Sequence, residues 1–98
     1  MNICISKEFE KSARKLSGKY KESLKDVILE IKAARSVAEI SNCKKLINYN
    51  SVFRIRIGDY RAFFLLEIIN DIVYLKYLVN RGEAYGKAYQ SKLKKMDK

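Results

Sequence analysis

The chain has 98 residues, of which 48% are hydrophobic, and this is enough for the core of one domain but not of two. A disordered chain is therefore excluded, and we expect a single domain over residues 1–98. The 21 lysines and arginines outnumber the 11 acidic residues and give a net charge of +10, which favours a polyanionic partner such as RNA or DNA over a merely solvated basic surface.

The first predicted elements are a short strand at Asn2–Ile5 and a helix that begins after Ser6, a favourable N-cap residue. This helix buries three apolar residues at roughly helical spacing, namely Phe9, Ala13 and Leu16. It is expected to end at Gly18, because glycine readily adopts the left-handed conformation of a helix C-cap.

A second helix is predicted from Lys19 to Arg35, where apolar residues recur at helical spacing between lysines and glutamates. Its apolar stripe consists of Tyr20, Leu24, Val27, Ile28 and Ile31. The two helices form a hairpin whose apolar side packs on a sheet. Residues 36–50 are mixed in polarity and are expected to form one long connection.

Three strand-like runs follow, at residues 52–57, 60–68 and 72–79. The pairs Gly58-Asp59 and Asn70-Asp71 separate them and are typical of tight turns, so the runs form an antiparallel meander. The third run is apolar on both faces, which indicates a strand in the interior of the sheet.

The last segment, residues 82–98, alternates lysines with apolar residues at helical intervals and predicts a basic amphipathic helix. The expected fold class is therefore α+β. It comprises a small, mainly antiparallel sheet of about four strands, an N-terminal helical hairpin packed on one face, and the C-terminal basic helix.

The Gly58-Asp59 hairpin carries arginines on both of its strands. Arg54 and Arg56 share one face of the first strand, because side chains alternate along a strand. A tight two-residue loop also places Arg56 opposite Arg61. Since like charges directly opposite each other destabilise a sheet, this pair predicts that an anion binds beside it.

The chain has no histidine, and its two cysteines, Cys4 and Cys43, are isolated. A zinc site and the Ser-His and Cys-His catalytic sets are thereby excluded, and no metal or other cofactor is expected. The cysteines are expected to be free thiols. Because no segment resembles a signal peptide or reaches the length of a membrane span, we expect a cytoplasmic location.

The remaining candidates are basic and phenolic residues suited to RNA. Arginine binds phosphate through two parallel hydrogen bonds, and tyrosine stacks on bases. RNA cleavage suits such a set because the ribose 2′-hydroxyl is the nucleophile, so the protein need only position the strand and stabilise the charged phosphorane. The candidates are Lys44, Lys45, Arg54, Arg56, Arg61, Arg81 and Tyr85.

Three segments, in this order, resemble the RelE/ParE toxin superfamily: Lys44-Lys45-Leu46, the run from Val52 to Arg61, and Asn80-Arg81-Gly82-Glu83-Ala84-Tyr85. The resemblance covers nearly the full chain and implies a small sheet with helices on one face. It also implies the toxin of a type II toxin–antitoxin pair, with a cognate antitoxin as partner. RelE-like toxins cut messenger RNA in the ribosomal A site, whereas ParE-like toxins poison DNA gyrase.

The resemblance implies a role for each arginine. Arg54 and Arg61 hold the scissile phosphate, Arg56 assists the 2′-hydroxyl, Arg81 stabilises the leaving side, and Tyr85 stacks on a base. The best-known RelE proteins have lysines where Arg54 and Arg56 stand. Because arginine scarcely acts as a base near neutral pH, this hairpin favours phosphate binding over proton transfer.

The leading hypothesis is thus a ribosome-dependent messenger endonuclease of the RelE-like branch, with the ribosome and messenger RNA as further partners. A gyrase inhibitor without nuclease activity and a non-catalytic RNA-binding module are the alternatives. The expected catalytic residues are Arg56, Arg61, Arg81 and Tyr85, and the expected RNA-binding residues are Lys44, Lys45 and Arg54.

Overall fold

The computed structural model describes residues 1–97, which form five strands, four α-helices and a short 3₁₀ helix. The strands are β1 (Asn2–Ile5), β2 (Cys43–Lys45), β3 (Val52–Ile57), β4 (Tyr60–Glu67) and β5 (Ile72–Asn80). The helices are α1 (Lys7–Arg14), α2 (Gly18–Ala33), α3 (Arg81–Ala84) and α4 (Lys87–Met96), with the 3₁₀ helix at Val37–Glu39. The predicted α+β class is confirmed.

All five strands belong to one sheet with the order β1-β5-β4-β3-β2. Strand β1 runs parallel to β5, and the other neighbours are antiparallel. The predicted strand count is one too low, because Cys43–Lys45 pairs with β3 as an edge strand. Three residues are too few to display the alternation that identifies a strand, so the partner strand and not the local sequence defines β2.

The arginine hairpin has the tight register that its loop predicts. Arg56 lies opposite Arg61 and Ile57 lies opposite Tyr60, across a turn in which Gly58 has a φ of 58°. Glycine adopts this left-handed conformation without the steric cost that a Cβ would add. Directly opposed residues of an antiparallel pair share a face, so the two arginines point to the same side of the sheet.

The N-terminal helices form the predicted hairpin, but Gly18 does not end the first of them. Helix α1 begins at the Ser6 N-cap, whose hydroxyl oxygen accepts a hydrogen bond of 3.0 Å from the Phe9 N–H, and it ends at Arg14. Gly18 is the first residue of α2 and follows Ser17, which has extended backbone. After α1, the next backbone N–H groups donate hydrogen bonds to carbonyl oxygens three residues earlier. The helix therefore ends without a residue in the left-handed conformation.

The sheet separates two buried clusters. On the side covered by α1 and α2, here called the helical face, the core includes Phe9, Leu24, Ile31, Ile55, Ala62, Phe64, Val73 and Leu75. On the opposite side, here called the cationic face because it carries Lys44, Arg54, Arg56 and Arg61, a smaller cluster contains Tyr49, Val52, Phe63, Leu65, Val79, Ala84 and Leu93.

The C-terminal segment is two helices and not the single helix that the sequence predicts. The short helix α3 ends before Tyr85, and α4 begins after Gly86, whose backbone is extended. Helix α4 covers part of the cationic face through Leu93, which is fully buried. No helix within residues 1–97 is long and apolar enough to cross a bilayer.

Candidate nucleic-acid interface

Four basic side chains lie along two strand pairs on the cationic face. Strand β3 supplies Arg54 and Arg56, β2 supplies Lys44 opposite Arg54, and β4 supplies Arg61 opposite Arg56. Strand alternation and register therefore bring them together, although they come from three separate strands. Lys45 lies opposite Phe53, so its register position belongs to the helical face.

Arg61 is buried, with 7% of its surface exposed, and its Nη1 donates hydrogen bonds to the carbonyl oxygens of Gly58 at 2.9 Å and Tyr60 at 3.0 Å. Its Nε is also buried and has no hydrogen-bond partner among the described residues. The hairpin's own backbone thus fixes the guanidinium without neutralising it. A buried charge with an unpartnered donor is costly unless something anionic binds it.

Within residues 1–97, no carboxylate forms an ion pair with an arginine of this face. The ion pairs closer than 4.0 Å in this part of the chain join Arg14 to Glu10 and Lys92 to Glu8, and both lie away from the hairpin. Close like charges without counter-charges create a local positive potential that attracts polyanions. The cationic face therefore combines fixed geometry with uncompensated charge.

A pocket of about 500 Å³ opens beside these residues. It is lined by Lys44, Lys45, Leu46, Ile47, Tyr49, Arg54, Tyr85 and Gln90. Its wall thus includes Tyr85, whose side chain is 57% exposed. An exposed aromatic ring next to cations is the arrangement in which a base stacks while its phosphate is bound.

A smaller hollow of about 260 Å³ extends the pocket toward the hairpin. Asn42, Cys43, Lys44, Arg54 and Arg56 line it, so Lys44 and Arg54 border both spaces. The candidate site, here called the basic groove, thus comprises the pocket and the hollow, which share Lys44 and Arg54 and between them are lined by Tyr85 and Arg56. Four of the seven predicted residues line the pocket, and Arg56 joins them through the hollow.

Arg81 and Arg61 lie outside the lining of both spaces. Arg81 is the exposed first residue of α3, and its backbone N–H donates a hydrogen bond of 2.7 Å to the Asp59 carbonyl oxygen. Its backbone therefore lies beside the hairpin turn whose carbonyls also hold the Arg61 guanidinium. Both residues remain predicted site residues.

Four pocket residues are absent from the predicted set, namely Leu46, Ile47, Tyr49 and Gln90. The Tyr49 hydroxyl donates a hydrogen bond of 3.0 Å to Oε1 of Gln90, and the Lys94 ammonium lies 4.2 Å from the centre of the Tyr49 ring. These contacts join the β2–β3 loop to α4. No local motif marks them, because they depend on how α4 packs against a loop more than 40 residues earlier.

Cys43 borders the hollow but is poorly suited to act as a nucleophile. Burial raises the pKa of its thiol to about 11, although the nearby Arg54 charge favours the thiolate. The thiol is therefore protonated at neutral pH, and the thiolate is the reactive form of cysteine. Both cysteines are free, as the sequence predicts.

Known proteins of similar sequence and fold bear on the function of this site. No family model matches the chain. The chain is 26% identical, over 86 residues, to Toxin RelE3 of Methanocaldococcus jannaschii, and the match covers 87% of this chain and 96% of that protein.

Solved structures with the same fold include RelE in its complex with the antitoxin RelB from Methanococcus jannaschii, with a TM-score of 0.71 and 23% identity over 85% of this chain and 95% of that one. The RelE–RelB complex of Pyrococcus horikoshii also gives 0.71, with 20% identity over 85% of this chain and 97% of that one. A mutant of Escherichia coli RelE in the free state gives 0.70, with 21% identity over 96% and 94% of the two chains. These likenesses confirm the resemblance indicated by the sequence.

Proposed function

We propose that this chain, which belongs with the RelE toxins by sequence likeness and fold, cuts messenger RNA on the ribosome as the toxin of a toxin–antitoxin pair. The observation that carries the proposal is Arg61. It is a buried, backbone-fixed guanidinium with an unpartnered Nε, opposite Arg56 and, within residues 1–97, without an ion pair to a carboxylate. This uncompensated positive charge attracts an anion, and an RNA phosphate is an anion that arginine binds well.

The proposed reaction uses the RNA's own nucleophile. The 2′-hydroxyl oxygen attacks the adjacent phosphorus, the bond to the 5′-oxygen breaks, and the products are a 2′,3′-cyclic phosphate and a 5′-hydroxyl. Negative charge grows on the phosphate oxygens in the transition state. A positioned donor at that charge contributes about 10² to 10³ in rate, which is the role proposed for Arg61 with Arg54.

The proton of the 2′-hydroxyl does not pass to the arginines of β3. The guanidinium of Arg56 keeps its protons near neutral pH, so it stabilises the developing charge and does not act as a base. The proton is therefore taken up by solvent or by ribosomal groups around the messenger, and the 5′-oxygen gains one on leaving. Arg81, beside the hairpin turn, is proposed to stabilise that leaving oxygen.

The pocket suits the nucleotide next to the scissile bond. Tyr85 is exposed on its wall, and Lys44, Lys45 and Arg54 are the cations that line it. A base stacked on Tyr85 would place its phosphate within the basic groove, which fixes the register of the strand. Stacking of this kind is largely independent of base identity.

The partner in this proposal is an acidic antitoxin that masks the toxin. Between α1 and α2 lies a mainly apolar groove of about 490 Å³, whose floor includes Leu24, Ile28 and Leu29. Its lining also carries four cations and one carboxylate, namely Arg14, Lys21, Lys25, Lys32 and Glu10, of which Glu10 pairs with Arg14, so it is basic on balance. An acidic amphipathic segment complements this surface in shape and charge. The similar structures of RelE with RelB support such a partner.

The test is messenger cleavage in a translating extract, with cut positions mapped by primer extension. We expect cuts inside ribosome-protected codons with the natural chain, and a loss of about 100- to 1000-fold with Arg61→Ala. Arg35→Ala is the matched control, since Arg35 is an exposed arginine on the segment that follows α2. Arg35→Ala removes one positive charge, as Arg61→Ala does, but from a position outside the cationic face.

The other candidate functions are outcomes of the same experiment. An intact messenger together with inhibited DNA supercoiling by purified gyrase would replace the nuclease with a gyrase poison. RNA binding without an effect in either assay would leave a binding module. Equal cleavage by the natural chain and Arg61→Ala would contradict the role assigned to Arg61.

A further inference from the structure

The Gly58-Asp59 turn supports more than one arginine of the candidate site. The carbonyls of Gly58 and Tyr60 hold the Arg61 guanidinium. The Asp59 carbonyl holds the backbone N–H of Arg81 and so fixes the start of α3. A shift of this turn would therefore displace both arginines together.

From the helical layer, the side chain of Tyr20 in α2 contacts the turn in three ways. Its hydroxyl donates a hydrogen bond of 2.8 Å to Oδ2 of Asp59. Its ring lies so close to Gly58 that a Cβ added there would stand 2.6 Å from Cε1 of Tyr20. The ring also packs edge-on against Tyr60, with 4.9 Å between the centroids.

We propose that Tyr20 is a positioning residue for the arginine site, although it lies in the opposite layer of the protein. Tyr20 acts on Asp59 and Gly58, the turn acts on Arg61 and Arg81, and these arginines meet the RNA. This inference rests on the proposed function for its link to cleavage. The placement of Arg61 by Tyr20 is measurable without any activity.

The Tyr20 hydroxyl contributes little to stability, which separates positioning from folding. Asp59 is exposed and Tyr20 only half-buried, and a hydrogen bond that competes with water adds little net free energy. The apolar part of the ring, by contrast, fills the space over Gly58. Tyr20→Phe therefore keeps the packing and removes only the bond that orients the Asp59 side of the turn.

The first test is an NMR measurement of the Arg61 Nε–H signal in the natural chain and in Tyr20→Phe. We expect the signal to shift in Tyr20→Phe, because the turn that holds the guanidinium loses the hydrogen bond that orients Asp59. The matched control is Tyr74→Phe, which removes a similar tyrosine–carboxylate hydrogen bond, of 3.0 Å to Glu67, near the opposite end of the sheet. An unmoved Arg61 signal in Tyr20→Phe would overturn the proposal.

The second test is a double-mutant cycle of Tyr20→Phe with Arg61→Ala, read as the affinity for a short single-stranded RNA. We expect Tyr20→Phe alone to weaken binding about threefold to tenfold, in line with the loss of one hydrogen bond. It should weaken binding by a smaller factor in the Arg61→Ala background, because one of the two arginines through which it acts is gone. Additive effects in the cycle would contradict action through Arg61.

Cleavage on programmed ribosomes separates this inference from the proposed function. If the natural chain cuts messenger, Tyr20→Phe should lower kcat about fivefold to tenfold at an unchanged thermal midpoint, since small misplacements of catalytic groups are costly. If the natural chain does not cut, the proposed function fails. The Arg61 signal and the binding cycle then still decide whether Tyr20 positions the arginine.

Discussion

The two faces of the sheet differ in how completely they are buried and in how much charge they carry. The helical face is closed by α1 and α2 over a continuous apolar core. The cationic face is covered by α4 along only part of its width, and the remainder presents Lys44, Arg54 and Arg56 beside a pocket. One face thus carries most of the burial that holds the chain together, and the other carries charge that the chain leaves uncompensated.

The contrast indicates where stability and function lie in so small a protein. Burial of apolar surface is favourable and non-directional, so a closed face stabilises the fold whatever binds elsewhere. Close like charges have the opposite effect unless a ligand neutralises them. Substitutions of fully buried residues on the helical face should therefore change unfolding, and substitutions on the open part of the cationic face should change RNA binding and cleavage.

The largest expected effect is on folding, from Phe64→Ala on the helical face. Phe64 is fully buried and stacks on Phe53, with ring centroids 5.2 Å apart. Removing a buried phenylalanine costs about 3–5 kcal/mol, which urea denaturation would measure. Ile69→Ala is the control, because Ile69 is 93% exposed. A loss below about 1 kcal/mol for Phe64→Ala would show that the helical face is not the main core.

The second prediction concerns the pocket wall. Tyr85→Ala should weaken single-stranded RNA binding by about 1–3 kcal/mol, because a base loses its stacking partner. Tyr85→Phe should bind nearly as the natural chain does, because the ring is kept. Fluorescence anisotropy with a labelled oligonucleotide measures both affinities. Equal affinities for the alanine variant and the natural chain would remove Tyr85 from the site.

The third prediction is that the neighbouring residues Lys44 and Lys45 contribute unequally to RNA binding. Lys44 shares the cationic face with Arg54, whereas Lys45 has its register position on the helical face and borders only the larger pocket. Lys44→Gln should reduce the salt dependence of RNA binding by about 0.7 in the slope of log affinity against log salt, which is one phosphate contact. Lys45→Gln should reduce it less. A larger change for Lys45→Gln would reverse the assignment.

The smallest expected effect tests how α4 is attached to the cationic face. Asp97, just after α4, accepts hydrogen bonds of 2.8 Å from the N–H groups of Asn50 and Ser51. Burial opposes ionisation of Asp97, but these donors, the Ser51 hydroxyl and the Lys94 charge outweigh it and lower the pKa of the carboxyl. The ionised form therefore stabilises the docked helix.

The stability contributed by Asp97 should fall at acid pH. Since the folded-state pKa lies below the ordinary value of about 3.9, the stabilisation by Asp97 is complete above that value and is lost as pH falls through the lowered pKa. Asp97→Asn should lower the thermal midpoint at neutral pH, and its difference from the natural chain should shrink under acid conditions. A difference that stays constant with pH would exclude this carboxylate as the cause.

Much of the helical face could be predicted from sequence, because its periodicities are local. The stripe from Tyr20 to Ile31 specifies α2, and alternation along residues 52–57 specifies β3. The Arg56–Arg61 register also follows from a two-residue loop. Strand β2 could not be predicted in this way, because it depends on pairing with β3. The break before α4 falls at Gly86, where the backbone is extended.

Some features of the candidate site could likewise be predicted from the sequence, and others could not. Residue type and alternation place Arg54 and Arg56 on one face, whereas the burial of Arg61 depends on how its guanidinium folds back onto its own turn. Tyr20 belongs to the predicted apolar stripe, and nothing in that stripe indicates that its hydroxyl reaches Asp59. Packing between layers decides such contacts, and a single sequence carries no periodic signal for them.

The most direct test of the account compares equal losses of charge on the two faces. The variant Arg54→Gln/Arg56→Gln removes two charges from the cationic face, and Lys11→Gln/Lys15→Gln removes two exposed charges from the helical hairpin. The measured quantity is the rate of messenger cleavage on programmed ribosomes. We expect a fall of about 100-fold or more for the arginine variant and an unchanged rate for the lysine variant. Equal rates for the two variants would contradict it.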